Sequence, residues 1–333
     1  MAQQLTDEQV DRAAGVLLGG AVGDALGVPY EFAAPPAPAE LAEMKGGGLG
    51  NFAPGEWSDD TSMAVAIAEV AATGADLTST EALDEIARGF LRWYADGPAD
   101  IGIQTAEVLR RSSAAVQRGE GPGQALHHEA EVHAAGHPRS AGNGALMRTG
   151  PVALAHLDDR ETLARAARAV AELTHADPLA GDSCVLWCEA VRMAVLDVEL
   201  DVRSGLDLLP AERRAQWSAW LDDALDLDRN RAEPVPGARF TPNGFTVTAL
   251  QAAVAAIATT PVTDHHLEDA LHNAVRIGND SDTVAAIAGA LLGGRWGASA
   301  VPAAWRGAVH GWPGRTGDDL VDLAQRTVTT PRA

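Results

Sequence analysis

The sequence has two cysteines, few aromatic residues and little positive charge, and each shortage narrows what the chain can do. Cys184 and Cys188 stand four residues apart inside an apolar helical pattern. One helix face is a poor place for a disulfide, and two thiols do not complete a structural zinc site, so both read as small buried hydrophobes. Lys and Arg total 25 against 46 Asp and Glu, a net charge of -21. Such a surface repels a phosphate backbone, which argues against polymeric DNA or RNA as a partner. A small anion remains admissible where a cation or helix N-termini offset its charge. Long apolar runs are missing too: stretches such as Thr283–Leu292 end in glycines, short of the roughly 20 residues a bilayer requires, so no membrane span is expected. The start, Met1–Gly15, is polar and acidic where a secretory signal would be basic and then apolar, and the expectation is a cytoplasmic protein.

What is present is a chain of 333 residues, 46% apolar, enough to bury the core of one large domain or two closely merged ones. Apolar residues recur at three and four, as in Val65–Ala72, Leu163–Leu173 and Leu250–Ile257, so the fold class is all-α. Thr6 with Gln9 is a capping-box signature and predicts a first helix from Asp7 to about Ala25. Four stretches read as irregular: 28–57, 95–101, 133–148 and 230–245. The first is long enough to act as a lid, and the last, rich in proline, reads as a surface connection. There is no fixed-period repeat.

The most informative feature is an arrangement that occurs twice. Ser58-Asp-Asp-Thr61 opens one alanine-rich helix, and Asp280-Ser-Asp-Thr283 opens another about 220 residues later. Capping explains one such side chain per helix, because Asp, Ser or Thr there accepts orphan N–H bonds and answers the positive end of the helix dipole. Each motif nevertheless supplies two acids and at least one hydroxyl, with no Lys or Arg nearby. Four carboxylates brought together repel unless protonated or paired with cations. All-oxygen ligands select Mg²⁺, with Mn²⁺ the alternative, and two ions sharing a carboxylate at about 3.5–4 Å satisfy the ligand count.

Gly142-Asn143-Gly144 is a loop whose backbone N–H groups suit a phosphate, although glycine pairs also mark ordinary turns. His175 follows the helical stretch Leu163–Leu173 and reads more readily as a satisfied core residue or helix C-cap than as a ligand. The other histidines, including His127-His128 and His265-His266, read as surface residues. Trp187, Trp217, Trp220, Trp296, Trp305 and Trp312 read as core anchors.

Taken in order, these motifs resemble the ADP-ribosylglycohydrolase family. The matching residues are Gly20–Gly27 with Glu31, Pro54–Thr61, Asp100–Gly102, Gly142–Arg148, Thr174-His175, Gly278–Val284 and Val301–Trp305, spanning about residues 12 to 306. Ser58 stands where the family usually has Thr, and Asn279 where Gly is common. The resemblance implies a single domain over 1–333, a compact orthogonal helical bundle with a binuclear metal cleft, and a monomer. It implies one ion on Ser58, Asp59, Asp60 and Asp282, and another on Asp280, Asp282 and Thr283. Gly142, Asn143 and Gly144 would cradle a diphosphate, with His175 beside it or the ribose. Glu31 is the favoured catalytic acid, on the loop after the first helix where closure over substrate would bring it in, and Asp100 is the second candidate. The implied activity is Mg²⁺-dependent release of ADP-ribose from an acceptor, which includes an ADP-ribosylated protein. Two rivals remain: a metal-dependent pyrophosphatase acting on ADP-ribose-like nucleotides, and a non-catalytic ADP-ribose-binding protein.

Overall fold

The computed structural model describes residues 5–37 and 39–332. Fifteen helices occupy them: α1 (Asp7–Gly27), α2 (Asp59–Ala71), α3 (Thr80–Ala95), α4 (Ile103–Gln117), α5 (Pro122–Gly136), α6 (Gly150–Ala155), α7 (Arg160–Glu172), α8 (Pro178–Asp197), α9 (Ala211–Ala224), α10 (Leu227–Arg231), α11 (Thr246–Thr259), α12 (His266–Ile277), α13 (Ser281–Trp296), α14 (Ala303–Ala308) and α15 (Gly317–Thr329). The only sheet among the described residues is an antiparallel pair, β1 (His310–Gly311) and β2 (Arg315–Thr316), with His310 opposite Thr316. The all-α expectation is met.

α1 begins as its capping box dictates: Thr6 Oγ1 accepts the Gln9 N–H at 3.2 Å, and Gln9 Oε1 accepts the Thr6 N–H at 3.0 Å. From Ala13 to Gly27 every residue except Gly20 is buried, so the helix is enclosed on all sides and forms the axis of the fold. By length and hydropathy, Asp7–Tyr30 is the one described segment apolar enough to cross a membrane, a candidate the sequence reading passed over. Burial answers it: 89% of that apolar window lies inside the fold, packed against α13 and α15.

The close partner of α1 is α13, and small residues make the approach possible. Gly15, Gly19 and Gly23 sit directly on the backbone of Gly293, Gly289 and Ala285, and Gly27 sits on that of Asp282. A side chain at any of these four positions would overlap the facing backbone. The four-residue spacing keeps them on one helix face, so two helices meet backbone to backbone along three turns. That contact carries the end of α1 to the start of α13, and the acids at both ends arrive together.

Several local expectations need correction. α5 continues to Gly136, so the third irregular stretch begins only at His137. Residues 230–245 are not merely a surface connection: they include the end of α10 and a 3-10 turn at Ala238–Phe240, and they bury Asn230, Phe240 and Asn243. His133, His156, His266 and His272 are buried, not superficial. His266 accepts the Trp296 indole N–H at Nδ1 (3.1 Å) and turns Nε2 to the Ile257 carbonyl (3.2 Å), a pairing between distant elements that helix periodicity does not reveal. Cys184 and Cys188 are unpaired and buried on α8, as expected.

Candidate active site

The two acidic motifs converge. Ser58 Oγ lies 3.1 Å from Asp60 Oδ2 and 3.4 Å from Asp282 Oδ2, a contact between residues 224 apart in the chain. Carboxylate oxygens of Asp24, Asp60 and Asp282 fall within 4.8 Å of one another, and so do those of Glu31, Asp280 and Asp282. Asp282 belongs to both groups. Asp59 and Asp100 lie close enough to this group for their charges to bear on Glu31. Thr283, in the first turn of α13, donates its N–H to Asp282 Oδ1 at 2.9 Å.

Capping does not account for these acids. Neither Ser58 nor Asp280 caps its own helix with its side chain. For α2 that task falls to Asp24, reaching across from the last turn of α1. Its Oδ1 accepts from the Ser58 N–H (2.9 Å) and hydroxyl (2.8 Å), and its Oδ2 from the Thr61 N–H (3.0 Å) and hydroxyl (2.7 Å). Asp280 is held from outside as well. Asn143 Nδ2 donates to its Oδ2 at 2.8 Å, and Asn243 Oδ1 accepts its N–H at 2.9 Å. Asn143 also donates to the Asn243 carbonyl (3.0 Å), and its backbone N–H donates to the Gly244 carbonyl (3.1 Å), which commits the residue to holding the second motif. With α2 capped by Asp24, the carboxylates of Asp59 and Asp60 remain available for something else.

Among the described residues, no Lys or Arg forms a salt bridge with Asp24, Glu31, Asp59, Asp60, Asp100, Asp280 or Asp282. Burial followed by neighbouring negative charge, that of Asp100 first, raises Glu31 to about 9 and Asp59 to about 8. Burial, then the charge of Asp24, holds Asp60 well above the usual carboxylate range; burial, then the charge of Asp60, does the same to Asp282. Asp60 Oδ1 and Glu31 Oε2 are buried without a hydrogen-bond partner. Crowded carboxylate oxygens, two of them without a partner, form groups able to hold a metal ion.

Glu31 is not on a lid. It ends a 3-10 turn, Val28–Tyr30, is only 8% exposed, and is pinned by the next residue, whose N–H donates to the Asn279 carbonyl at 2.7 Å. Asn279 has φ of 68°, a left-handed conformation that Gly and Asn tolerate best, which explains why Asn serves at a position where Gly is common. Asp100 is half-buried at the rim of an open cleft that also shows Trp57, Asp59, Trp93 and Trp312. Gly142 and Gly144 face His175: a Cβ on either would lie 3.1 or 3.2 Å from its Nε2. Of the residues expected at the site, Ser58, Asp59 and Asp100 line that cleft, while Asn143 ties the His175 and glycine corner to Asp280.

The sequence profile of ADP-ribosylglycohydrolases matches residues 5–332. The chain belongs to the ADP-ribosylglycohydrolase family. It is 29% identical to an ADP-ribosyl-[dinitrogen reductase] glycohydrolase of Rhodospirillum rubrum over 304 residues, covering 89% of each chain. It is 28% identical to ADP-ribosylarginine hydrolase Tri1 of Pseudomonas putida over 304 residues, 90% of this chain and 75% of that one. A solved structure described as an ADP-ribosylglycohydrolase-related protein complex superposes with a TM-score of 0.70 at 30% identity, covering 98% of this chain and 99% of the other.

In this ADP-ribosylglycohydrolase, three residues that hold the site together escaped the sequence reading. Asp24 lies inside the matching Gly20–Gly27 stretch and is an acid in the last turn of a helix, opposed to the helix dipole, yet neither signal names its role. Asn243 had none, since Pro-Asn-Gly reads as an ordinary turn. Arg148 lies inside a matching motif, yet nothing in the sequence says that it is fully buried. A further group, Glu107 with His133 and His137, also assembles outside the cleft, but Arg111 already pairs with Glu107 at 2.5 Å.

Proposed function

We propose that this chain, as one catalytic domain over 1–333, hydrolyses the N- or O-glycosidic bond joining ADP-ribose to an acceptor, with two Mg²⁺ or Mn²⁺ ions between the acidic motifs. The observation that carries the reading is Asp282, common to two buried carboxylate groups that have no cationic side chain among them. In this proposal Ser58, Asp59, Asp60 and Asp282 hold one ion, and Asp280, Asp282 and Thr283 hold the other. Bound there, the ions supply Lewis acidity that orients the ribose hydroxyls beside the scissile bond.

The chain's own groups have distinct work. Breaking a glycosidic bond builds positive charge on the sugar ring and requires a proton for the leaving group. Glu31, buried beside Asp280 and Asp282 with Oε2 lacking a protein partner, is the general acid of this proposal. Asp100, close enough for its charge to bear on Glu31, is the group of this proposal that takes a proton from the attacking water and returns it to Glu31. Gly142 and Gly144 leave the loop backbone open to the diphosphate, and His175 lies against them. The relatives named above make an arginine-linked ADP-ribosyl protein the first substrate to try.

The test is to incubate the protein and Mg²⁺ with arginine-linked, serine-linked and acetyl-ester conjugates of ADP-ribose and identify products by mass spectrometry. Intact ADP-ribose is the expected product. AMP with ribose phosphate would replace this reading by a pyrophosphatase, and binding without any product would replace it by a binding protein.

A further inference from the structure

Arg148 is fully buried, and its charge has no carboxylate partner within salt-bridge distance among the described residues. Its guanidinium lies 4.6 Å over the Phe90 ring and donates from one terminal nitrogen to Thr174 Oγ1 (2.8 Å) and the Val170 carbonyl (3.3 Å). Burial lowers it only to about 10, so it remains a cation at neutral pH. A guanidinium has no lone pair to accept with, so the Arg148–Thr174 bond has one possible direction: the hydroxyl oxygen accepts.

Thr174 Oγ1 has one other neighbour, His175 Nδ1 at 2.8 Å. The hydroxyl hydrogen has no other acceptor among the described residues, so it goes to Nδ1. An Nδ1 that accepts carries no hydrogen. Burial and the charge of Arg148 hold His175 well below its usual pKa, so the ring is neutral and its single hydrogen is on Nε2. Nε2 has no partner among the described residues, the ring is 2% exposed, and this nitrogen faces the space left by Gly142 and Gly144. Gln104 braces the same corner by donating to the Thr174 carbonyl at 3.0 Å.

We propose that Arg148 and Thr174 are positioning residues that lock His175 in the Nε2–H tautomer, so that a neutral, buried N–H donor points into the Gly142–Gly144 cradle to bind a phosphate oxygen. The role of the anion rests on the function proposed above; the tautomer does not. A neutral donor suits a site that must release its product, because it recognises the diphosphate without adding a second fixed cation beside the metal-binding acids. Thr174 thus converts the fixed polarity of a buried arginine into the polarity of an imidazole.

The test uses protein with ¹⁵N-labelled histidine and long-range ¹H–¹⁵N correlation spectra, with His175 assigned by the signal lost in His175→Gln. The wild-type protein is expected to show a pyridine-like Nδ1 and a pyrrole-like Nε2. Thr174→Ser, which keeps the hydroxyl, is expected to preserve that pattern. Thr174→Val is expected to lose it and to weaken ADP-ribose binding about tenfold, the value of one hydrogen bond to a charged group. A wild-type spectrum with hydrogen on Nδ1 overturns the proposal, whatever the variants do. So does a folded Thr174→Val protein that keeps both the pattern and the affinity. If ADP-ribose fails to bind wild-type protein while the tautomer is as stated, the functional reading fails and the lock stands.

Discussion

Replacing Gly27 by Ala probes the link between the central helix pair and the site. A Cβ at Gly27 would overlap the Asp282 backbone and lie 2.7 Å from the Ser281 carbonyl carbon, where ordinary contact begins at 3.4 Å. Relieving the overlap with the Asp282 backbone requires the two helices to separate by about 1 Å or more at that point. Ala is favoured over Gly inside a helix by roughly 0.5–1 kcal/mol, while overpacking a tight contact costs about 1–3 kcal/mol, so the net effect is a destabilisation of about 1–2 kcal/mol. The functional consequence is larger. Mg²⁺ requires near-ideal geometry at about 2.0–2.1 Å, and a shift of that size in Asp282 withdraws the carboxylate common to both groups. Gly15→Ala is the control: its Cβ would lie 2.7 Å from the Gly293 carbonyl carbon, the same overlap about 18 Å further along the helix. Urea unfolding should give similar losses for the two variants, whereas Mn²⁺ titration calorimetry should show at least about a tenfold loss of affinity for Gly27→Ala alone. Equal metal affinities in the two variants would refute the claim that this contact sets the position of Asp282.

The remaining expectations concern the acids themselves. Groups whose folded-state pKa is raised give stability that is complete below the unfolded value and is lost as pH climbs through the folded one. With Asp59 at about 8 and Glu31 at about 9 against model values of 3.8 and 4.5, metal-stripped protein should melt at progressively lower temperature from about pH 5 to 9. Excess divalent cation should flatten that slope in scanning calorimetry; a stripped protein whose melting point rises over this range would contradict the electrostatic reading. Asp24→Ala leaves two buried N–H groups and two hydroxyls without their acceptor, and should cost about 2 kcal/mol or more in urea titration; a loss under about 0.5 kcal/mol would mean water replaces it. Glu31→Gln should lower kcat by about 10²–10⁴-fold while Mn²⁺ still binds, and Asp100→Asn should cost less. Full turnover in the first variant with none in the second would reverse their order.

How much of this was legible in the sequence depended on whether a residue's role is local. Thr6 and Gln9 announce the start of α1 because both partners of a capping box lie within one turn. The paired acidic motifs were legible as a surplus, since each holds more carboxylate than one helix end uses. Asn243 and Asp24 act on residues far from them in sequence, and a buried polar side chain satisfied by tertiary contacts leaves no periodic trace. Glu31 illustrates the opposite error. A proline-rich surrounding suggested a moving loop, whereas one backbone hydrogen bond from Phe32 to Asn279 fixes it against the second motif.

Manganese anomalous scattering from crystals of the wild-type protein addresses the central claim most directly. Two peaks about 3.5–4 Å apart, both in contact with the Asp282 carboxylate, are the expected result. Crystals soaked in Mn²⁺ that show no peak between the N-termini of α2 and α13 would contradict it.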